Sequence, residues 1–467
     1  MRNPLRSKRT KAMQEQIDAA LKKYQSKTDY LECRAESIRK LHFGFSNDEL
    51  TRLGISEDQG FAVRACVRGG WGFASLNSPD LLEEYTELAI DQARSLGNCR
   101  MNLAPVDPVV DFVDYDPLED PRAVILDTKL DIFRDLVTRA REYSPVITNV
   151  SASYFESFRT IVYMNSDGTD LVMKKMDLGG IVSPQASRSG VTQYQMVTCG
   201  SSRDFGVIRR LGDRLENACR LTVDMLDAPK VKAGKYTVVL DPVLGSTFVH
   251  EAFGHMSEAD EYHNNPSMRD IFTMGRRFGP DILGIYDSGL DKGTRGYLRY
   301  DDEGVPGEKT WLIRDGVLVG RLHSRESAAR FGEAPTGNAR CINYRYPPIC
   351  RMRNTCIAPG NATFEDLLSG IDLGVYAVDA HGGTGGEMFS FDAAHGFMIR
   401  NGKLAEPVRN VQLSGNLFKT LDSIEGIGRD FTIVDDSGGC GKGPQFPLET
   451  TCSSPHLRIR NVTVGGE

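Results

Sequence analysis

Residues 240–260 read LDPVLGSTFVHEAFGHMSEAD, which brings two imidazoles and a carboxylate, His250, Glu251 and His255, within one short stretch. These types fit metal-assisted hydrolysis: neutral imidazoles bind zinc through a ring nitrogen, and an adjacent glutamate can take a proton from a water on the ion. The spacing is unusual. His-Glu-x-x-His puts two imidazoles four residues and about 40° apart on an ideal helix, whereas five residues turn them about 140° apart. One ion can serve both only if the helix departs locally from α geometry, through a π-bulge or by unwinding at Gly254.

A catalytic zinc takes three ligands from protein and leaves the fourth position to water. Glu258, His263 and a cysteine from the distant C-terminus are candidates for the third. Cys440 is preferred, because residues 436–445 (DSGGCGKGPQ) flank it with glycines that let backbone approach a metal, and Lys442 would favour the thiolate. A structural zinc would instead be closed by a fourth protein ligand, from Glu258, His263 or Cys452, and Glu251 would then face no open position.

The elements that must hold these groups are well signalled. Residues 236–240 form an apolar, β-branched run that suits a strand. Asp241 is an N-cap, Pro242 suits the first helical position, and Val249, Ala252, Phe253 and Met256 supply one buried stripe.

The His-Glu-x-x-x-His helix, the late Cys-Gly-Lys at 440–442, the terminal VTVGG at 462–466 and GFAVRACVRGGWGFASLN at 60–77 together resemble the TldD/PmbA metalloprotease family over nearly the whole chain. The resemblance implies one zinc per chain held by His250, His255 and Cys440, with Glu251 as the base. It implies a peptidase acting on unfolded or flexible peptides in extended form, enclosed by a PmbA-type partner lacking the metal motif or by a second copy of the same chain. Such a substrate would add a strand to a sheet edge. Two alternative readings are a non-catalytic or regulatory partner subunit with a structural metal, and a metal-dependent amidase for small molecules.

Two further stretches bear on substrate. Residues 300–304 (YDDEG) concentrate carboxylates without the oxygen spacing of an EF-hand, so Asp301 and Asp302 are read as part of a loop near the site or a solvated acidic turn rather than a calcium or magnesium loop. Residues 381–387 (HGGTGGE) have no helix signal after them, which argues against a phosphate loop. Gly383 and Gly385 are instead candidates for letting an extended peptide backbone approach, with His381, His395 and His323 as candidate transition-state donors.

The full chain of 467 residues is long enough for two or three domains, and 40% hydrophobic with 25% charged residues is a globular composition. Charge of −7 gives no global field toward nucleic acid, so direct nucleic-acid binding is not expected. Ten cysteines without a C-x-x-C pair fit a reducing compartment, no segment has the length and apolarity of a membrane span, and residues 13–24 look amphipathic rather than like a signal peptide. The expected location is cytoplasmic.

The linker-like APKVKAG at 228–234 divides the chain into an N-terminal α/β domain, 1–227, and a β-rich metallopeptidase domain, 228–467. The expected class is α+β: a mixed sheet with helices in the first half, ending in one long helix over 206–227, then a strand-rich barrel-like or sandwiched sheet carrying the metal helix.

Overall fold

The computed structural model describes residues 8–97, 102–262, 265–434 and 436–465. It is α+β, as the pattern of elements predicts.

The first half is organised on one mixed sheet whose strands run in the order Gly70–Leu76, Glu49–Val67, Tyr30–Ser46, Ile147–Asn165, Asp170–Arg188 and Val110–Val113, the last joining in parallel. The turn at Arg68 and Gly69 has positive φ at both positions, which the Arg-Gly-Gly sequence anticipates. Helix Leu82–Ser95 lies so close on this hairpin that a Cβ at Gly72 would sit 1.9 Å from the Ala89 carbonyl oxygen, so only glycine fits. Helix Leu126–Tyr143 buries Phe133, Leu136 and Val137 against Phe43 and Tyr154.

Residues 206–227 do not form one helix. Gly206–Arg209 and Gly212–Asp224 are separated by a tight turn in which Asp213 N donates to Arg210 O and Arg214 N to Leu211 O, three residues apart rather than four.

The second half contains a closed five-stranded barrel. Leu373–Thr384, Gly234–Leu240, Leu457–Gly465, Gln412–Asn416 and Met388–Arg400 pair in that order, and the last pairs back to the first. Closure pairs the strands on both sides over their shared length, while Leu373–Thr384 runs on past its pairing with Gly234–Leu240. Its apolar filling is continuous with Phe248, Val249 and Phe253 of the helix that follows the strand Gly234–Leu240. A second sheet, with Ile285–Ser288, Asn354–Ile357 and Thr451–Ser454 at its centre, flanks that helix on its other side.

The two halves meet through buried ion pairs. Arg34 reaches Asp302 at 2.8 Å, Arg64 reaches Glu303 at 2.6 Å and Arg295 reaches Asp177 at 2.7 Å. This corrects the reading of Asp301 and Asp302 as substrate-facing or solvated. Both are buried; Asp301 accepts from the backbone of Glu303, Val305 and Ala339, and Asp302 also accepts from Cys341 N. A buried carboxylate must be hydrogen-bonded or paired, and these are filled from within the protein.

Candidate metal centre

Asp241 accepts from Leu244 N at 2.8 Å and Pro242 opens the helix, so the sequence-level start signals act where expected. Only Pro242–Phe248 is α-helical. Val249–Gly254 is a π turn and His255–Ser257 is 3₁₀, with His255 N donating to His250 O. A five-residue repeat is what brings side chains five apart onto one face. The two rings accordingly lie 5.3 Å apart between centroids.

Gly254 serves this departure through space rather than through unusual dihedrals. Its backbone is right-handed at φ −59°, but a Cβ there would lie 2.1 Å from the buried Met352 Sδ.

One ligand atom each from His250, His255 and Cys440 lies within 4.8 Å of the others. Cys440 comes from a short strand, Cys440–Lys442, held in place by Arg351, whose guanidinium donates to the Cys440 carbonyl at 2.7 Å. The Cys440 Sγ is 3.5 Å from His255 Nε2. The opposite nitrogens are occupied from outside: Glu258 Oε2 sits 3.2 Å from His255 Nδ1, and Cys452 Sγ sits 3.3 Å from His250 Nδ1. Glu258 and Cys452 therefore orient the imidazoles from behind. His263 lies outside the described residues.

The donor chemistry suits a borderline divalent ion. Burial pushes the Cys440 thiol up, but the imidazoles of His250 and His255 more than offset this and hold it at about 5. Lys442 does not act on that thiol as its position in sequence suggests, because its ammonium is taken by Glu258 at 3.2 Å, Asp260 at 2.6 Å and Glu261 at 3.3 Å. Two imidazole nitrogens and a sulfur held as thiolate form a zinc-type donor set.

Glu251 stands at the rim, its side chain 35% exposed and Oε2 3.9 Å from His255 Nε2. The glycine-rich stretch passes over it: a Cβ at Gly385 would lie 1.9 Å from the Glu251 carbonyl oxygen, and Gly383 packs on the Phe391 ring. His323 is buried between Ser327 at 3.0 Å and Glu333 at 2.8 Å, which fits a structural role. His381 stacks on Tyr194 with ring centroids 4.1 Å apart, and His395 is buried.

Comparison with known proteins identifies the family. The chain matches the PmbA/TldA metallopeptidase domain 1 over residues 31–96, the central domain over 119–226 and the C-terminal domain over 233–466. It belongs to the TldD/PmbA family of metallopeptidases. A metalloprotease of Synechocystis sp. is 45% identical over 450 residues, covering 95% of this chain and 96% of its own. A protein of Saccharolobus solfataricus named zinc metalloprotease TldD homolog is 28% identical, covering 88% of this chain and 90% of its own. The crystal structure of TldE from Thermococcus kodakarensis shares the fold with a TM-score of 0.75 at 17% identity, covering 97% of this chain and all of that one. Among the described residues of this family member, no helix is long and apolar enough to cross a membrane.

Sequence reasoning missed the arginines behind the centre. Arg351 and Arg353 are wholly buried, the first holding Cys440 and the second paired with Asp287 at 3.2 Å. Arginine is rarely buried, and only the density of arginines in RYPPICRMR at 345–353 hints at it.

Proposed function

We propose that this chain is a zinc-dependent peptidase in which His250, His255 and Cys440 hold the ion and Glu251 is the general base. The observation that carries this reading is the orientation of the two imidazoles: each has Nδ1 occupied, by Cys452 or Glu258, which leaves Nε2 to turn toward a common point beside the Cys440 sulfur. Zinc bound there supplies a Lewis acid that polarises a carbonyl and lowers the pKa of water toward neutrality.

Glu251, at the exposed rim, takes the water proton and delivers it to the leaving amine. Glu258 and Cys452 fix the imidazoles, so neither closes the coordination shell from within. This favours an open, catalytic site over a structural metal.

The substrate is a peptide in extended form. Strand Leu373–Thr384 pairs with Gly234–Leu240 only as far as Ala377, and from Ala380 to Thr384 its outer side has no strand partner among the described residues. That edge leads to Gly385 over Glu251, so a peptide added as a further strand is carried to the base. Backbone pairing asks little of the side chains and excludes folded proteins. A PmbA-type partner or a second copy of the chain encloses the site, as the family resemblance implies. Residues 1–227 and 228–467 act as separate domains within it, and the free cysteines of the described residues suit the cytoplasm.

The test is cleavage of an unstructured peptide, the same sequence in a folded protein, and small amides by the zinc-loaded chain. Peptide cleavage alone, lost with chelator and restored by zinc, is the expected result. Turnover of small amides without the peptide would replace this reading with the amidase.

A further inference from the structure

Away from the metal centre, a cavity of about 390 Å³ opens where the two halves meet, within the size range of small-molecule sites. Its wall combines Phe112, Tyr115 and Tyr297 with an excess of cationic side chains and includes none of His250, Glu251, His255 or Cys440.

The cations are unequally matched. Lys174 reaches Asp114 at 2.9 Å, and Arg295 holds Asp177 through two contacts of 2.7 and 2.9 Å. Arg203 and Lys292 share one carboxylate, Asp116, at 3.5 and 3.4 Å, and Arg203 Nε is buried without a hydrogen-bond partner. The Lys175 ammonium makes no ion pair or hydrogen bond among the described residues; the nearby Glu449 is already engaged by Arg159 at 3.3 Å. Burial lowers the Lys175 ammonium to about 8, with Arg159 and Arg340 adding to the effect against Glu449.

Lys175 is half-buried on the cavity wall and Arg203 Nε is buried, so the cations outnumber the carboxylates that answer them, an arrangement that suits an added negative charge. We propose that this cavity binds a small organic anion, a carboxylate or a phosphate ester with an apolar or aromatic body, whose charged end meets Lys175 and the Arg203–Lys292 pair while its body lies against Phe112, Tyr115 and Tyr297. A planar body matches those rings, and the charge-assisted contacts fix its orientation.

The experiment is calorimetric titration of the zinc-loaded full chain with phenyl phosphate and with benzoate at constant ionic strength, for the native protein, Lys175→Met and Lys175→Arg. Saturable binding is expected, weakened about tenfold or more in Lys175→Met and largely kept in Lys175→Arg. Binding of phenyl phosphate alone assigns a phosphate ester, and binding of benzoate alone a carboxylate. No saturable binding of either probe, or equal binding by Lys175→Met, overturns the proposal. Lys175→Met should fold, because Lys175 is half-buried and its ammonium makes no ion pair or hydrogen bond among the described residues that the substitution would break. If it does not, reductive methylation of the native chain decides: the probe must protect Lys175, and unchanged labelling refutes the site.

Discussion

Glu258 holds His255 from behind, with Oε2 3.2 Å from Nδ1, while its Oε1 accepts from Met352 N at 3.2 Å and Lys442 braces the carboxylate at 3.2 Å. Such a contact fixes both the tautomer and the ring angle of a metal-binding imidazole. Glu258→Gln keeps an acceptor and should keep most of the metal, whereas Glu258→Ala should weaken zinc by about 10–100-fold. Competition against a chromogenic chelator measures this. Equal affinity in the alanine variant would mean that His255 is positioned by its backbone alone.

Cys440→Ser tests the proposed remote ligand. Its Sγ sits 3.5 Å from His255 Nε2, and a hydroxyl cannot replace a thiolate as donor. Mass spectrometry of protein purified without chelator should find about one zinc in the native chain and the loss of most of it in the variant. Full occupancy in Cys440→Ser would remove Cys440 from the ligand set.

Much of this centre was legible in the sequence, because the constraint is local. Asp241 and Pro242 mark the helix start, and the five-residue spacing of His250 and His255 calls for a π turn, which Val249–Gly254 forms. The part played by Gly254 was not legible, since the Met352 sulfur it accommodates comes from a distant strand connection. The barrel-like sheet was expected for the strand-rich second half, and the strands that close it, Leu373–Thr384 and Met388–Arg400, are neighbours in the chain; the pairings of Gly234–Leu240 with Leu373–Thr384 and Leu457–Gly465 join segments far apart in sequence, which no local pattern encodes. Asp301 and Asp302 misled because charge in a glycine-bounded turn usually means solvent, while here Arg34 and several backbone amides take the carboxylates into the core.

Gly385→Ala probes the contact over Glu251, the proposed base. A Cβ 1.9 Å from the Glu251 carbonyl oxygen meets backbone, so the 384–387 segment must lift away. Peptide cleavage should fall by roughly 10–100-fold with zinc content unchanged, because misplacing a substrate-positioning element by about 1 Å is that costly. Unchanged kcat/KM would mean that the substrate does not use this stretch.

The Asp241 side chain gives a pH signature outside the metal centre. Burial and the neighbouring Asp379 carboxylate raise it to about 7 from an ordinary 3.8. The folded state then holds a proton that the unfolded chain has lost, so this contribution to stability is complete below about 4 and disappears as pH rises through 7. Asp241→Asn keeps an oxygen for Leu244 N and Asp379 N but cannot ionise. It should flatten the fall in Tm between pH 4 and 7 and be the more stable protein above it, by on the order of a few kcal/mol. Parallel pH profiles for the two proteins would assign the titration elsewhere.

Glu251→Gln separates binding from chemistry. The side chain stands at the exposed rim, with Oε2 3.9 Å from His255 Nε2, where it can reach a water in front of the ligand cluster without belonging to it. Glutamine preserves shape and hydrogen bonding but cannot accept a proton, so zinc content and peptide Kd should stay near native while kcat falls by about 10²–10⁴-fold. Loss of zinc together with activity would move Glu251 from base to ligand. An undiminished kcat with zinc retained would require another group to carry the proton; His381 and His395, both lowered to about 4 by burial, are too weakly basic for that near neutral pH.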